Sequence, residues 1–124
     1  MKRLAIFGFG LIGASIAAAV RKAAPRIELV AIDLPATVST PEVRALTDEQ
    51  IDSTDRARLR TAVGLADLCV LAAPVSVIRA ELPALLESAQ VVTDCGSTKR
   101  SICAAVSGLP RARHFAPGHP MAGG

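Results

Sequence analysis

The sequence predicts an α/β fold in which helices cover both faces of a parallel sheet. Short apolar runs rich in Val and Ile alternate with helical patterns along 124 residues, a length that suits one domain spanning 1–124. A glycine-rich turn joins the first apolar run to the first helical pattern. Apolar residues make up 51% of the chain, many of them alanine, and aromatic residues only 2%. This composition is typical of helices that pack on a buried sheet.

The first elements have the strongest patterns. Residues 3–7 and 28–33 are apolar runs that predict two strands, and residues 11–23 predict the helix between them, which Pro25 ends. A strand, a helix and a second strand in this order form a right-handed parallel pair. The chain therefore opens with a βαβ unit.

The next region is harder to interpret. We expect a loop over 35–40 and a short helix over 41–50, with Thr40 as its N-cap and Pro41 at its first position. Residues 51–54 are too polar to assign. Residues 55–63 predict a helix, and we interpret its arginines as a solvated surface rather than a binding patch; they are Arg56, Arg58 and Arg60.

The alternation becomes clear again in the second half. The predicted strands lie at residues 67–73, 90–94 and 113–116. The predicted helices lie at 74–88 and 97–106, and Ser97 or Thr98 can cap the second of them. We place His114 on the last strand as a structural residue. The complete pattern predicts an open sheet wound on both faces, in three layers.

Composition argues against several classes of protein. The net charge is +3, but aromatic side chains that could stack on bases are nearly absent, so we expect no nucleic-acid partner. Cys69, Cys95 and Cys103 match no zinc or redox spacing, so we expect no metal site. We interpret them as buried thiols of a cytoplasmic protein, with an oxidation-sensitive Cys95 as the alternative.

The N-terminal segment resembles a secretory signal, because a basic start precedes an uncharged run over 4–20. Glycines interrupt that run at positions 8, 10 and 13, however, and would weaken a signal helix. The run is also too short for a membrane span. We therefore expect neither a signal nor a membrane segment.

Those same glycines form the motif GxGxxG between the first strand and the first helix, which is the context of a Rossmann-type dinucleotide site. Gly8 permits a tight turn, Gly10 lets a pyrophosphate approach the backbone, and Gly13 lets the helix pack closely on the strand. Leu11 and Ile12 open the helix, whose N-terminal N–H groups attract phosphate. We expect all five residues to bind the cofactor.

Asp33 lies at the end of the second predicted strand, twenty residues after Gly13. A carboxylate there accepts hydrogen bonds from ribose hydroxyls and repels a 2′-phosphate, and no Lys or Arg follows it immediately. The sequence therefore predicts NAD rather than NADP; the alternative is that Asp33 is only a turn residue.

Ala73 and Pro74 lie at the end of a later predicted strand. There they either leave room for a cofactor or form an ordinary turn.

Two further segments, DCGSTK at 94–99 and GHPMAG at 118–123, each follow a predicted strand. With GFGLIG at 8–13 and AAPV at 72–75, they make the chain resemble the nucleotide-binding domain of prephenate and arogenate dehydrogenases across nearly its whole length. The first motif is shared by many dehydrogenases, and the two later segments are more specific. Cys95 and Thr98 depart from the family pattern without removing a group that the chemistry needs.

The resemblance implies an oxidative decarboxylation in tyrosine biosynthesis. Hydride would pass from the ring carbon bearing the hydroxyl to NAD⁺, CO₂ would leave, and prephenate or arogenate would give 4-hydroxyphenylpyruvate or tyrosine. It also implies that His119 takes the hydroxyl proton, that Ser97 orients His119, and that Lys99 adds positive potential. Gly96 joins the expected cofactor-binding residues. The alternatives are a structural role for His119 and helix capping for Ser97.

Members of that family continue into a helical second domain that forms a dimer and binds the substrate carboxylates. We therefore expect residues 1–124 to be a fragment that binds NAD and turns over prephenate poorly, with a homodimer only in a full-length form. One alternative is a freestanding NAD-binding module without catalysis. Another is a different dehydrogenase of this fold, such as a β-hydroxyacid enzyme, although the catalytic lysine expected in a later helix is missing.

Overall fold

The computed structural model of the chain describes residues 1–95 and 111–116. Within these ranges the strands are β1 (Arg3–Phe7), β2 (Glu28–Asp33), β3 (Glu49–Asp52), β4 (Leu68–Leu71), β5 (Val92–Asp94) and β6 (Phe115–Ala116). The helices are α1 (Leu11–Ala23), α2 (Pro35–Val38), α3 (Pro41–Leu46), α4 (Arg56–Leu65) and α5 (Val75–Ser88), and a 3₁₀ turn covers Ala112–His114.

The strands form a six-stranded sheet in the order β3-β2-β1-β4-β5-β6, and every neighbouring pair is parallel. The chain begins at β1 in the centre, moves outward to β3, and crosses back to β4 on the other side of β1. The connection after β1 therefore leads toward one edge of the sheet, and the connection after β4 leads toward the other edge. In open α/β sheets a crevice for ligands forms at this point, outside the carboxyl ends of the strands.

The core has two layers, one on each face of the sheet. On one face α4 and α5 bury Leu59, Val63, Ile78 and Leu82 against strand residues such as Ile32. On the other face α1, α2 and α3 pack Ala17, Val38 and Val43 against Leu4 and Leu29. Each fully buried Val, Leu or Ile contributes about 1.5–3 kcal/mol relative to an exposed one. The predicted three-layer, doubly wound α/β fold is confirmed.

The region between β2 and α4 differs from the sequence-based expectation. Residues 35–38 form the short helix α2 rather than a loop, and α3 ends at Leu46 rather than at the predicted residue 50. Glu49–Asp52 then form β3, across the predicted end of that helix and the start of the unassigned residues 51–54. An edge strand needs few apolar residues, and in β3 only Ile51 is buried. Thr40 is the N-cap of α3, as predicted, since its side chain accepts a hydrogen bond from the N–H of Val43.

Strands β4, β5 and β6 are shorter than the predicted ranges 67–73, 90–94 and 113–116, because the ends of those ranges lie outside the sheet. His114 belongs to the 3₁₀ turn rather than to the last strand, and its Nδ1 lies 2.8 Å from the carbonyl oxygen of Gln90. Cys69 is buried as expected, whereas Cys95 is exposed. The predicted helix over 97–106 lies outside the described residues. None of the helices that the structure describes is long and apolar enough to cross a membrane.

Candidate nucleotide-binding site

The glycine turn between β1 and α1 is held against the end of β4. Gly8 has a φ of +98°, a backbone conformation that residues with a side chain rarely adopt. A Cβ atom at this position would lie 2.7 Å from the backbone nitrogen of Ala73 and 2.8 Å from the carbonyl carbon of Ala72. Glycine is therefore required at position 8 both by the turn and by its contact with the neighbouring strand.

Gly13 and Gly10 differ in the space around them. A Cβ at Gly13 would lie 2.1 Å from the carbonyl oxygen of Gly8, so only a hydrogen atom fits between α1 and the turn. A Cβ at Gly10 would meet nothing within 4 Å. The close packing predicted for Gly13 is present. The open space at Gly10 is what a phosphate approaching the backbone would need.

The carboxylate of Asp33 is fixed beside this turn. Its Oδ2 accepts a hydrogen bond from the N–H of Phe9 at 2.6 Å, and its Oδ1 accepts one from the N–H of Leu34 at 2.7 Å. A carboxylate oxygen has two lone-pair positions, so each oxygen can accept one further bond. Asp33 is therefore both a structural link to the glycine turn and an oriented acceptor.

A cleft of about 850 Å³ opens over the carboxyl ends of the strands. This is within the range of small-molecule and cofactor sites. The cleft brings together several of the residues predicted to bind a cofactor, namely Gly8, Gly10, Asp33, Ala73 and Pro74.

The other predicted site residues lie elsewhere. Leu11 and Ile12 are exposed on the first turn of α1, and neither they nor Gly13 line the cleft. The first turn of α1 carries no acidic side chain, so no residue of that turn offsets the positive end of the helix. Gly96, Ser97 and His119 lie outside the described residues. Among the described residues, no group of three His, Cys, Asp or Glu side chains could hold a metal.

The cleft also contains residues that the sequence reasoning missed. Leu34 and Val77 line it, and these two apolar residues are 56% and 37% exposed. Ser53 and Thr54 line it because they follow β3. Recognition of β3 would have placed these two residues at the same sheet edge as Asp33.

Arg56 is exposed, as the sequence predicts, but it is not simply a solvated charge. It lines the cleft and makes two hydrogen bonds of 2.8 Å to the carboxylate of Glu81, which raise the pKa of the Arg56 guanidinium. Hydrogen bonds from the side chain and backbone of Thr54, which lines the cleft, lower the pKa of the neighbouring Asp52.

Comparisons with known proteins agree with this geometry. A family model described as prephenate dehydrogenase, nucleotide-binding domain, matches residues 16–124. The prephenate dehydrogenase of Lactococcus lactis subsp. cremoris is 33% identical over 129 residues, covering 99% of this chain and 35% of that protein. The prephenate dehydrogenase of Bacillus subtilis is 33% identical over 122 residues, covering 94% of this chain and 32% of that protein. The chain thus spans about a third of the length of these relatives.

Solved structures show the same fold. Prephenate dehydrogenase from A. aeolicus, in complex with hydroxyphenyl propionate and NAD⁺, aligns with a TM-score of 0.78 at 24% identity, covering 100% of this chain and 43% of that one. A putative prephenate dehydrogenase from Corynebacterium glutamicum aligns with a TM-score of 0.76 at 27% identity, covering 98% of this chain and 37% of that one. From its match to the family model and its identity to curated relatives over nearly its full length, the chain belongs to the family of prephenate dehydrogenase nucleotide-binding domains.

Proposed function

We propose that this chain is the NAD-binding domain of a prephenate or arogenate dehydrogenase. The observation that carries the proposal is the position of Asp33, whose carboxylate lies in the cleft with both oxygens oriented by backbone N–H groups. Such an acceptor at the end of the second strand suits the two hydroxyls of an adenosine ribose and repels a 2′-phosphate. The solved relative from A. aeolicus in complex with NAD⁺ supports the same cofactor.

The described residues fit the parts of NAD. The pyrophosphate would lie over Gly10 at the N-terminus of α1, where the backbone is open and the helix end is positive. The ribose would bind Asp33, and the exposed apolar side chains of Leu34 and Val77 would cover the adenine ring. Ala73 and Pro74 would border the part of the cleft that leads toward the nicotinamide. When the cofactor is bound, the nicotinamide ring accepts the hydride.

For the reaction itself, we propose His119 as the base that takes the proton of the substrate hydroxyl. A neutral imidazole suits this role because its ordinary pKa lies near neutral pH. Ser97 would hold His119 in position, and Gly96 would border the cofactor. The family resemblance of the segments at 94–99 and 118–123 supports these roles, and the family match over residues 16–124 includes both segments.

The proposed reaction is an oxidative decarboxylation that yields 4-hydroxyphenylpyruvate from prephenate, or tyrosine from arogenate, in the cytoplasm. The relatives are about three times as long as this chain. We therefore propose that the 124-residue chain by itself binds NAD⁺ but turns over substrate poorly, and that a homodimer forms only in a longer form of the protein.

Calorimetric titration of the 124-residue chain with NAD⁺ and NADP⁺ tests the cofactor. We expect saturable binding of NAD⁺ and weaker binding of NADP⁺. Absence of NAD⁺ binding, or a preference for NADP⁺, would contradict the proposal. Adding prephenate or arogenate with NAD⁺ and following NADH absorbance tests the reaction. Turnover by the 124-residue chain at the rate of its full-length relatives would contradict the proposed need for further residues.

A further inference from the structure

The ion pair between Arg56 and Glu81 forms part of the cleft wall. Arg56 begins α4 and Glu81 lies in the middle of α5, and the two helices pack side by side. Both guanidinium Nη atoms meet a separate carboxylate oxygen at 2.8 Å. The Glu81 side chain is only 20% exposed, against 43% for Arg56. In this bidentate geometry the two parallel hydrogen bonds add both energy and a fixed orientation to the ion pair.

The pair is linked to the proposed ribose site through one residue. The N–H of Ser53 donates to the carbonyl oxygen of Asp33 at 2.9 Å. The carbonyl oxygen of Ser53 in turn accepts a hydrogen bond from Nη1 of Arg56 at 3.1 Å. Ser53 therefore links the guanidinium of Arg56 to the backbone of Asp33, on the side of the cleft where the ribose would bind.

The charges of the cleft depend on this pair. In the part of the chain that the structure describes, the charged residues lining the cleft are Asp33, Arg56 and Glu81. Arg56 is thus the single cation among them, and Glu81 already accepts one hydrogen bond from each of its Nη atoms. A phosphate group that entered here would face the Asp33 carboxylate and a guanidinium that is already neutralised.

We propose that Glu81 is a specificity-determining residue, which disfavours a 2′-phosphorylated dinucleotide by keeping Arg56 paired. The inference rests on the proposed binding of NAD and adds a second determinant to Asp33. Glu81 acts through Arg56 rather than by touching the cofactor. Its removal would free a guanidinium that binds phosphate well because of its planar, forked donors.

The test compares the dissociation constants of NADP⁺ and NAD⁺ for the 124-residue chain by calorimetry. We expect Glu81→Gln to tighten NADP⁺ binding by about tenfold, the effect of one new charge-assisted hydrogen bond, with little change for NAD⁺. The gain should shrink with added salt, because it depends on charge. In the double variant Glu81→Gln, Arg56→Gln the gain should disappear.

Glu87→Gln is the matched control, because Glu87 is exposed on the same helix and does not line the cleft. It changes the net charge equally and should leave the ratio of the two constants unaltered. Glu81→Ala serves as a second substitution, and thermal unfolding checks that each variant is folded. A merely structural role for Glu81 would weaken both cofactors together and would not depend on Arg56.

The outcomes separate the two proposals. If the unmodified chain fails to bind NAD⁺, both are overturned. If it prefers NAD⁺ while Glu81→Gln and Glu81→Ala leave NADP⁺ binding unchanged, only the role of Glu81 is overturned. A gain in NADP⁺ binding that persists without Arg56 also overturns it.

Discussion

The N–H of Phe9 donates a 2.6 Å hydrogen bond to Oδ2 of Asp33, and this bond joins the glycine turn to the end of β2. The residues are 24 positions apart in the sequence. One carboxylate thereby supports the turn and also presents its remaining lone pairs to the cleft. Substitution at position 33 therefore affects both the shape of the site and the recognition of the ribose, and the two effects can be measured separately.

Asp33→Ala should weaken NAD⁺ binding by about tenfold or more, because it removes a charged acceptor from the ribose hydroxyls. It should also improve the relative binding of NADP⁺, since the repulsion of the 2′-phosphate is lost. Calorimetry with both cofactors measures the effect, and Asp33→Asn retains one oxygen acceptor as a milder comparison. An unchanged preference between the cofactors would count against the ribose assignment.

Gly13→Ala and Gly10→Ala form a matched pair in the same turn. The methyl group at position 13 would lie 2.1 Å from the Gly8 oxygen, so we expect a loss of unfolding free energy of about 1–3 kcal/mol. The methyl group at position 10 meets nothing within 4 Å, so stability should change by less than about 0.5 kcal/mol while NAD⁺ binding weakens. Urea unfolding and calorimetry measure both. Unaltered NAD⁺ affinity in Gly10→Ala would argue against a pyrophosphate at that position.

His119→Asn tests the proposed base in any longer form of the protein that turns over substrate. We expect turnover to fall by roughly 10²–10⁴ and the rising limb of the pH–rate profile to disappear, because the group that takes the proton is gone. NAD⁺ binding should be retained, which makes it the control. A nearly normal rate would mean that another group takes the proton.

Asp67 should make stability depend on pH. Its Oδ2 accepts the N–H groups of Lys2 and Arg3 at 2.7 and 2.9 Å, and these bonds lower its pKa below the ordinary 3.8. A carboxyl whose pKa is lower in the folded state stabilises the fold fully above its unfolded pKa, and the effect is lost as pH falls through the folded pKa. Asp67→Asn should therefore be less stable than the unmodified chain at neutral pH.

The difference in unfolding free energy between the two proteins should shrink as the pH falls below about 4. There the carboxyl of the unfolded chain begins to protonate, before that of the folded chain. Urea unfolding across this range measures it, with the exposed Glu87→Gln as the control variant. A difference that stays constant with pH would show that the charge of Asp67 contributes nothing.

The two described cysteines should differ in reactivity. Burial raises the pKa of the Cys69 thiol to about 12, whereas Cys95 is exposed. The thiolate is the reactive form, so in a Cys103→Ser background a thiol reagent at about pH 8 should label Cys95 quickly and Cys69 only after unfolding. Mass spectrometry identifies the labelled residue. Rapid labelling of Cys69 in the folded chain would contradict its burial.

The sequence predicted the bounds of β1, α1 and β2 well, because continuous apolar runs and the glycine motif act locally. It did not reveal β3, because an edge strand with Ile51 as its buried residue has no strong pattern. Within the site, Asp33 could be found from its spacing to the glycines. The bond from Phe9 to Asp33 could not, since it depends on how the turn lies against β2.

The pair of Arg56 and Glu81 was also beyond local reasoning. The residues are separated by 25 positions and meet because α4 and α5 pack side by side on one face of the sheet. Each helix, considered by itself, presents an ordinary exposed charge. The partner of such a charge follows from tertiary packing, which the spacing of residues within one helix does not encode.

The turn that carries Gly8 is bonded on both sides before any ligand arrives. The N–H of Gly8 donates to the carbonyl oxygen of Ile32 at 2.8 Å. The carbonyl oxygen of the preceding residue, Phe7, accepts a hydrogen bond from the N–H of Ala72 at 2.8 Å. Ordering one backbone residue costs about 1–2 kcal/mol of conformational entropy, and here folding has already met that cost. The turn is therefore preorganised, and a dinucleotide that docks on it loses little affinity to ordering the chain.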